Sequence, residues 1–445
     1  MMCFHREIKG QSMRLLASFV VMFALLALPV RAQSLIRDAD IEHALAQLAR
    51  PILQAAGLSP AQVKILLIDS RIPNAFVIDS RAIFIHTGMI TRLKSAEALQ
   101  SVIAHEAAHI ANGHISRRLS QLGTRNNITG LGIALAAAVA ASGAKGSGAI
   151  ALGVASSAQR NLLSHSRAEE SSADQSAVRY LAASGISTRG AIEVHDIFKG
   201  QDVLSQSRQD PYARSHPFTR NRVRAMEAYV NAYGGDIPFS DTSRYWFERA
   251  KGKIWGFQQA PKSTLRRVKQ MPTGDIKLMM EAIAYHRRAQ TSKAAGVLQK
   301  LLKSRPNDAY YHELMGQVLL EGRQYKAAVN AYGRAAKLAP KNTLILAGYG
   351  RALLAAGQAK SAVEVLERAR SRDFRDPAAL RDLGNAYAKT GRPAMASLLV
   401  AERYALRGRF QDAALHAERA AGRLPRGSGP WQRAQDVLSA AQRQK

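Results

Sequence analysis

The chain has 445 residues, 47% of them apolar and 22% charged, enough for two or more domains with their own cores and unlike a disordered chain. Its net charge of +30 points to acidic partners, an anionic membrane surface or nucleic acid. No zinc-knuckle, RNP or recognition-helix pattern supports nucleic acid, and the basic residues are scattered as on a solvated surface.

In chain order, the first feature is a targeting segment. Arg14 follows Met13, which can serve as the start, and Leu15 to Leu28 is almost wholly apolar. Val30 and Ala32 satisfy the small-residue rule for cleavage after Ala32, so residues 1–32 are expected to be a signal peptide. The run is short for a membrane anchor, the alternative, and stops at Pro29. The only cysteine, Cys3, lies in this segment, which excludes disulfides and a thiolate metal site from the mature chain. Export without cysteine fits a bacterial periplasm.

Asp38 to Gly57 reads as an amphipathic helix with Ile41, Leu45, Leu48 and Ile52 on one side. Val63–Ile68, Ala75–Ile78 and Ala82–His86 read as strands, the last two joined by a turn at Asp79-Ser80-Arg81. Ala82–His86 is the candidate edge strand for holding an extended peptide by main-chain pairing; an ordinary buried strand is the alternative. A helix follows from about Ser95. It carries His105 and His109, four apart and so stacked on one face, where both can reach one metal ion. Glu106 lies beside them, placed to act on water without being a ligand. The pattern is H-E-x-x-H, the metalloprotease signature, and its flanks are apolar or small, as a buried helix requires.

His114 falls about 140° beyond His109 on a continuous helix and is expected to face away. Ile128–Ala158 is Gly/Ala-rich and reads as a tight helical hairpin of two runs, each too short to cross a membrane; insertion is the alternative. In Ser166–Asp174, Glu170 and Asp174 share a helix face. One carboxylate as third ligand, and a second acid to accept a ligand imidazole's other N–H, is the logic of such sites. Glu169, about 100° away on the same helix, is the rival ligand.

These stretches resemble the M48 family of zinc metallopeptidases, in the form in which an M48 domain precedes TPR repeats. The resemblance is carried by Asn74-Ala75-Phe76, Ile83–Gly88, His105–His109, Ser166-Arg167 with Glu170–Asp174, and Ser215-His216-Pro217, and it covers about Ile36 to Phe257. The family's E-x-x-A-D pattern selects Glu170 over Glu169. It implies one Zn2+ per chain held by His105, His109 and Glu170, with Glu106 as catalytic base and Asp174 orienting a ligand histidine. In related proteins a histidine at the place of His216 approaches the zinc, as a block on the water site or a stabiliser of the oxyanion. Read from the residues alone, His216 is a loop residue whose following Pro217 fixes a turn.

Tyr245–Phe257, with Trp246, Phe247, Trp255 and Phe257, reads as a helix packed on the first domain. After Pro272 a step of 34 residues recurs in Gly316, Gly350 and Gly384, in Ala294, Ala328 and Ala362, and in Pro272, Pro306 and Pro340. That period is the tetratricopeptide signature. A fourth repeat from about Phe374 is irregular: Gly391-Arg392 and Gly408-Arg409 are 17 apart, so Met395–Leu406 can serve two helix pairs.

The reading is an α+β zincin-like metalloprotease domain (33–260), a linker (261–271) and an all-α TPR solenoid (272–445). The expected activity is that of an exported zinc endopeptidase. The resemblance implies misfolded or misassembled outer-membrane proteins as clients and TPR docking on the barrel-assembly machinery; from charge and motifs, peripheral membrane association and no nucleic acid are expected. The alternative is a chaperone or scaffold of that machinery with a latent or silent zinc site, against which the intact Glu106 argues.

Overall fold

The computed structural model describes residues 34–123, 165–205 and 208–443. The expected signal peptide and the expected hairpin at Ile128–Ala158 lie outside the described residues. Among the described residues, no helix is long and apolar enough to cross a membrane.

The N-terminal domain is built on a four-stranded sheet. Strand β1 (Ser34–Ile36) leads into helix α1 (Ala39–Ala55), which Asp38 caps by accepting from the backbone N–H of Asp40 and Ile41. Strands β2 (Lys64–Asp69), β3 (Ala75–Asp79) and β4 (Ala82–His86) follow, in spatial order β1-β2-β4-β3. β4 runs parallel to β2, Ile65 facing Ile83, and antiparallel to β3, Phe76 facing Phe84. This corrects one expectation: Ala82–His86 is an interior strand, and β3 is the edge. The reason lies in β4 itself, where Ile83, Phe84, Ile85 and His86 are all buried, as in a strand covered on both faces and paired on both sides.

After the short helix α2 (Thr87–Arg92), helix α3 (Ala96–Ala111) forms the centre of the domain. Ser95 caps it, and every residue from Ala96 to Ile110 is buried. It packs on α1, on α5 (Arg167–Ala183) and on α6 (Arg189–Phe198). Gly190 lets α6 approach closely, because a Cβ there would collide with the backbone of Glu97. Between and after these lie α4 (His114–Gly123), α7 (Pro211–Ser215) and α8 (Arg220–Ala232).

Helix α9 (Asp241–Gln258) joins the two halves of the molecule. Phe247, Ala250 and Ile254 sit in the N-terminal core, while Trp255 and Phe257 pack on the first repeat helices. The expected linker contains helix α10 (Pro261–Gln270). The repeats follow as α11 (Asp275–His286), α12 (Thr291–Ser304), α13 (Ala309–Glu321), α14 (Tyr325–Leu338), α15 (Thr343–Ala355), α16 (Ala359–Arg370), α17 (Pro377–Lys389), α18 (Pro393–Leu406), α19 (Phe410–Ala421) and α20 (Gly429–Gln442). Packing explains the 34-residue step: a Cβ at Gly316 would strike the Tyr332 ring, and one at Gly350 the Leu366 side chain. Helix α18 packs on both α17 and α19, and α20 also lies against it, so it does serve two pairs.

The halves are held by a buried ionic knot. Arg249 on α9, 1% exposed, pairs with Asp40 at 2.7 Å and Asp308 at 2.6 Å. Lys253, fully buried one turn on, pairs with Asp38 at 2.9 Å and stands 3.8 Å from Glu313. Each of these charges tolerates burial only because the others are present. Arg37 adds a contact to Asp373 at 3.0 Å, so the repeats lie back against the N-terminal domain.

Candidate metal centre

Helix α3 presents His105 and His109 one turn apart, their Nε2 atoms 3.1 Å from each other. Helix α5 brings Glu170 to the same point, 3.5 Å from His105 Nε2 and 3.4 Å from His109 Nε2. His216, at the end of α7, places Nδ1 3.0 Å from Glu170 and 3.2 Å from His105 Nε2. The ligating atoms of these four buried residues all lie within 4.8 Å of one another. Glu169 is directed elsewhere: it closes a capping box with Ser166 and pairs with Arg118 at 2.9 Å. Of the two rival carboxylates, the structure brings Glu170 to the histidines.

Around these four is a layer of orienting contacts. Asp174, one turn beyond Glu170, lies 3.0 Å from His105 Nδ1, the ring nitrogen turned away from the cluster. Arg222 on α8 donates to both Asp174 oxygens at 2.7 and 2.8 Å and stands 2.7 Å from Glu170. His109 Nδ1 is 2.9 Å from His114 Nδ1, and the His165 ring stacks on His109 at 3.7 Å. His114 was expected to face away. The expectation fails because α3 ends at Ala111 and the chain turns through Asn112 and Gly113, whose φ is +70°, so His114 opens a new helix. Arg222 and His165 were not anticipated. Arg222 is one of 63 basic residues with nothing local to mark it, while His165 stands directly before the Ser166 helix cap. His109, His114 and His165 form a second buried donor group. The Arg118 guanidinium 3.1 Å from His165 Nδ1 opposes a cation there.

Electrostatics converge on a need for positive charge at the centre. Burial pushes His105 down, but the Asp174 and Glu170 carboxylates outweigh it and hold it at about 10. Burial takes His109 down to about 3. Burial also works against ionised Glu170, but His216 and hydrogen bonds from His105 and His109 hold it well below the usual carboxylate range. Asp174 is likewise lowered, the Arg222 guanidinium overcoming burial. Glu106 is different: burial raises it, and both its oxygens are buried without a hydrogen-bond partner. His216 Nε2, itself unpartnered, lies 3.5 Å from Glu106 Oε1. A buried set of imidazoles and one carboxylate, with no thiolate, fits a borderline divalent ion such as zinc.

Comparison with known proteins agrees with this geometry. The sequence matches peptidase family M48 over residues 36–230 and a tetratricopeptide repeat over 319–381. The "Beta-barrel assembly-enhancing protease" of Escherichia coli strain K12 is 23% identical over 388 residues, covering 85% of this chain and 78% of that protein. The protein of the same name from Yersinia pestis is 21% identical, covering 80% and 74%. Among solved structures, MamA from Desulfovibrio magneticus RS-1 is 22% identical over 36% of this chain and 92% of its own, with a TM-score of 0.33, too low to bear on fold or function. The metal-dependent chemistry of the matched family and the buried histidine site therefore identify the chain as a metallopeptidase, with a peptidase family M48 domain at residues 36–230 followed by tetratricopeptide repeats.

Proposed function

We propose that the protein is an exported zinc endopeptidase that hydrolyses peptide bonds of misfolded or misassembled envelope proteins. The observation that carries this reading is the convergence of four buried donors beside Glu106, whose carboxylate has no hydrogen-bond partner. One Zn2+ per chain would be held by His105, His109 and Glu170, with His216 as a fourth donor. When bound, zinc supplies Lewis acidity toward a substrate carbonyl and acidifies water. Glu106 takes a proton from water and returns it to the leaving nitrogen, a task suited to a carboxylate whose pKa burial has raised. Asp174, itself held by Arg222, fixes the His105 ring, and His114 does the same for His109. An extended substrate can add to the free edge of β3, which packs on α3. Relatives named for enhancing β-barrel assembly support outer-membrane proteins as clients and a periplasmic location. They also support the repeats as the part that engages the assembly machinery, with peripheral membrane association alongside.

One observation favours a second reading, a chaperone or scaffold with a latent site. His216 lies 3.0 Å from Glu170 and 3.5 Å from Glu106, where it competes with water and substrate. The test is digestion of an unfolded outer-membrane protein by the zinc-loaded mature chain, beside a chelator-stripped sample and His216→Ala. Cleavage that stops on chelation and returns with zinc supports the peptidase. Cleavage by His216→Ala alone marks a latent enzyme. No cleavage by any zinc-loaded form overturns the peptidase reading.

A further inference from the structure

Six arginines of the repeats pair with an acid among the described residues. Arg370 pairs with Glu402 at 2.9 Å, and Arg409 with Asp412 at 2.7 Å. Arg403 and Arg407 do not. Arg403 lies in the last turn of α18 and Arg407, four residues on, caps its C-terminal end; the Nε of each is buried with no hydrogen-bond partner. Neither is in an ion pair among the described residues. Glu402, the acid next to Arg403, is engaged by Arg370 and by Arg433 at 3.5 Å. The nearby acid on α17, Asp382, is already shared by Arg381 at 2.8 Å and Arg351 at 2.7 Å. Burial, then repulsion from Arg407 and Arg381, holds the Arg403 guanidinium below its usual pKa. Gathering like charges costs stability, and the field of Asp382 offsets it only in part.

We propose that Arg403 and Arg407, with Arg381 beside them, form a carboxylate-binding site on the repeats that takes an acidic segment of a polypeptide partner. A guanidinium fork matches a planar carboxylate with two parallel hydrogen bonds. The array already makes that match once, where Arg370 donates from Nε and Nη2 to the two carboxylate oxygens of Glu402. The Nε atoms are withdrawn from solvent, so the ligand must reach inward, as a side chain on a flexible polypeptide does and a flat bilayer surface does not. The net charge of +30 draws acidic partners toward the site. This deepens the reading of the repeats as the recognising part and is independent of the metal centre, so binding and cleavage can fail separately.

The experiment measures fluorescence anisotropy of a short labelled Glu-rich peptide, and of its Gln-for-Glu counterpart, with the full chain at low salt. The Glu peptide should bind at least about 10-fold more tightly than the Gln peptide. Arg403→Gln with Arg407→Gln, which keeps most of each stem, should weaken the Glu peptide about 10-fold or more. The same charge change at exposed Arg423 and Arg426 should alter it less than about 3-fold. The cluster variant should melt no lower than wild type, because a repulsion has been removed. Equal weakening by both double variants would reduce the site to a general field and overturn the proposal. So would a clear drop in melting temperature, which would make the arginines structural. Cluster-dependent binding to anionic-lipid vesicles without peptide binding would assign the site to lipid instead.

Discussion

Asp174→Asn tests the orienting layer of the centre. Asp174 is 3% exposed, lies 3.0 Å from His105 Nδ1, and accepts two charge-assisted bonds from Arg222 at 2.7 and 2.8 Å. Asparagine keeps the shape and one acceptor oxygen. It loses the charge that stabilises a strongly donating His105, and its amide N–H groups meet those of Arg222. Such partners of metal-bound histidines are worth about 10–100-fold in metal affinity, or about 1.4–2.7 kcal/mol. Arg222 retains Glu170 at 2.7 Å, so it is not stranded and the fold should survive. The assay is competition for Zn2+ between the protein and a chromophoric chelator, with circular dichroism as the check on folding. Glu169→Gln is the control, because that carboxylate serves Arg118 and the helix cap instead of the centre. A folded Asp174→Asn with wild-type affinity would refute the argument, as would an equal loss in Glu169→Gln.

Two further predictions come from other contacts. His114→Ala should weaken Zn2+ about 3–10-fold, less than Asp174→Asn because a neutral partner is lost, and the same competition assay reads it; an unchanged affinity would remove His114 from the site. At the ionic knot, burial pushes Glu313 up to about 7, with Lys253 at 3.8 Å only partly opposing it. An acid whose folded pKa exceeds its unfolded one destabilises the fold fully above the folded value, and the penalty fades as pH falls toward the unfolded value near about 4.3. Lowering pH from about 8 to about 5 should therefore favour wild type over Glu313→Gln by something on the order of 1–3 kcal/mol. Melting temperatures across that range provide the check, and parallel curves for the two proteins would contradict it.

What was legible in the sequence follows the range of the interactions involved. His105, Glu106 and His109 lie within a single helical turn and a half, where the i,i+4 rule is local and reliable. The 34-residue step was legible because the Gly316–Tyr332 contact is repeated as Gly350–Leu366 in the next helix pair. Between edge and buried strand for Ala82–His86 the sequence does not decide, because the second partner, β2, pairs with it across the β3 excursion and no local pattern reports that pairing. His114 was misjudged by extending one helix through Asn112-Gly113, a pair that is itself a stop signal. Arg222, Arg249 and Lys253 were not legible. Basic residues are read as solvated by default, and only the folded chain brings Asp174, Asp40 and Asp38 to them.

The most direct test of the central claim is Glu106→Gln in the zinc-loaded chain, assayed for bound zinc and for cleavage of an unfolded outer-membrane protein. Glu106 carries no ligand role in this account, and its oxygens have no structural hydrogen bond to lose. The prediction is one zinc per chain, an unchanged fold and a loss of cleavage of at least about 100-fold. Cleavage retained at wild-type rate with zinc in place would contradict it.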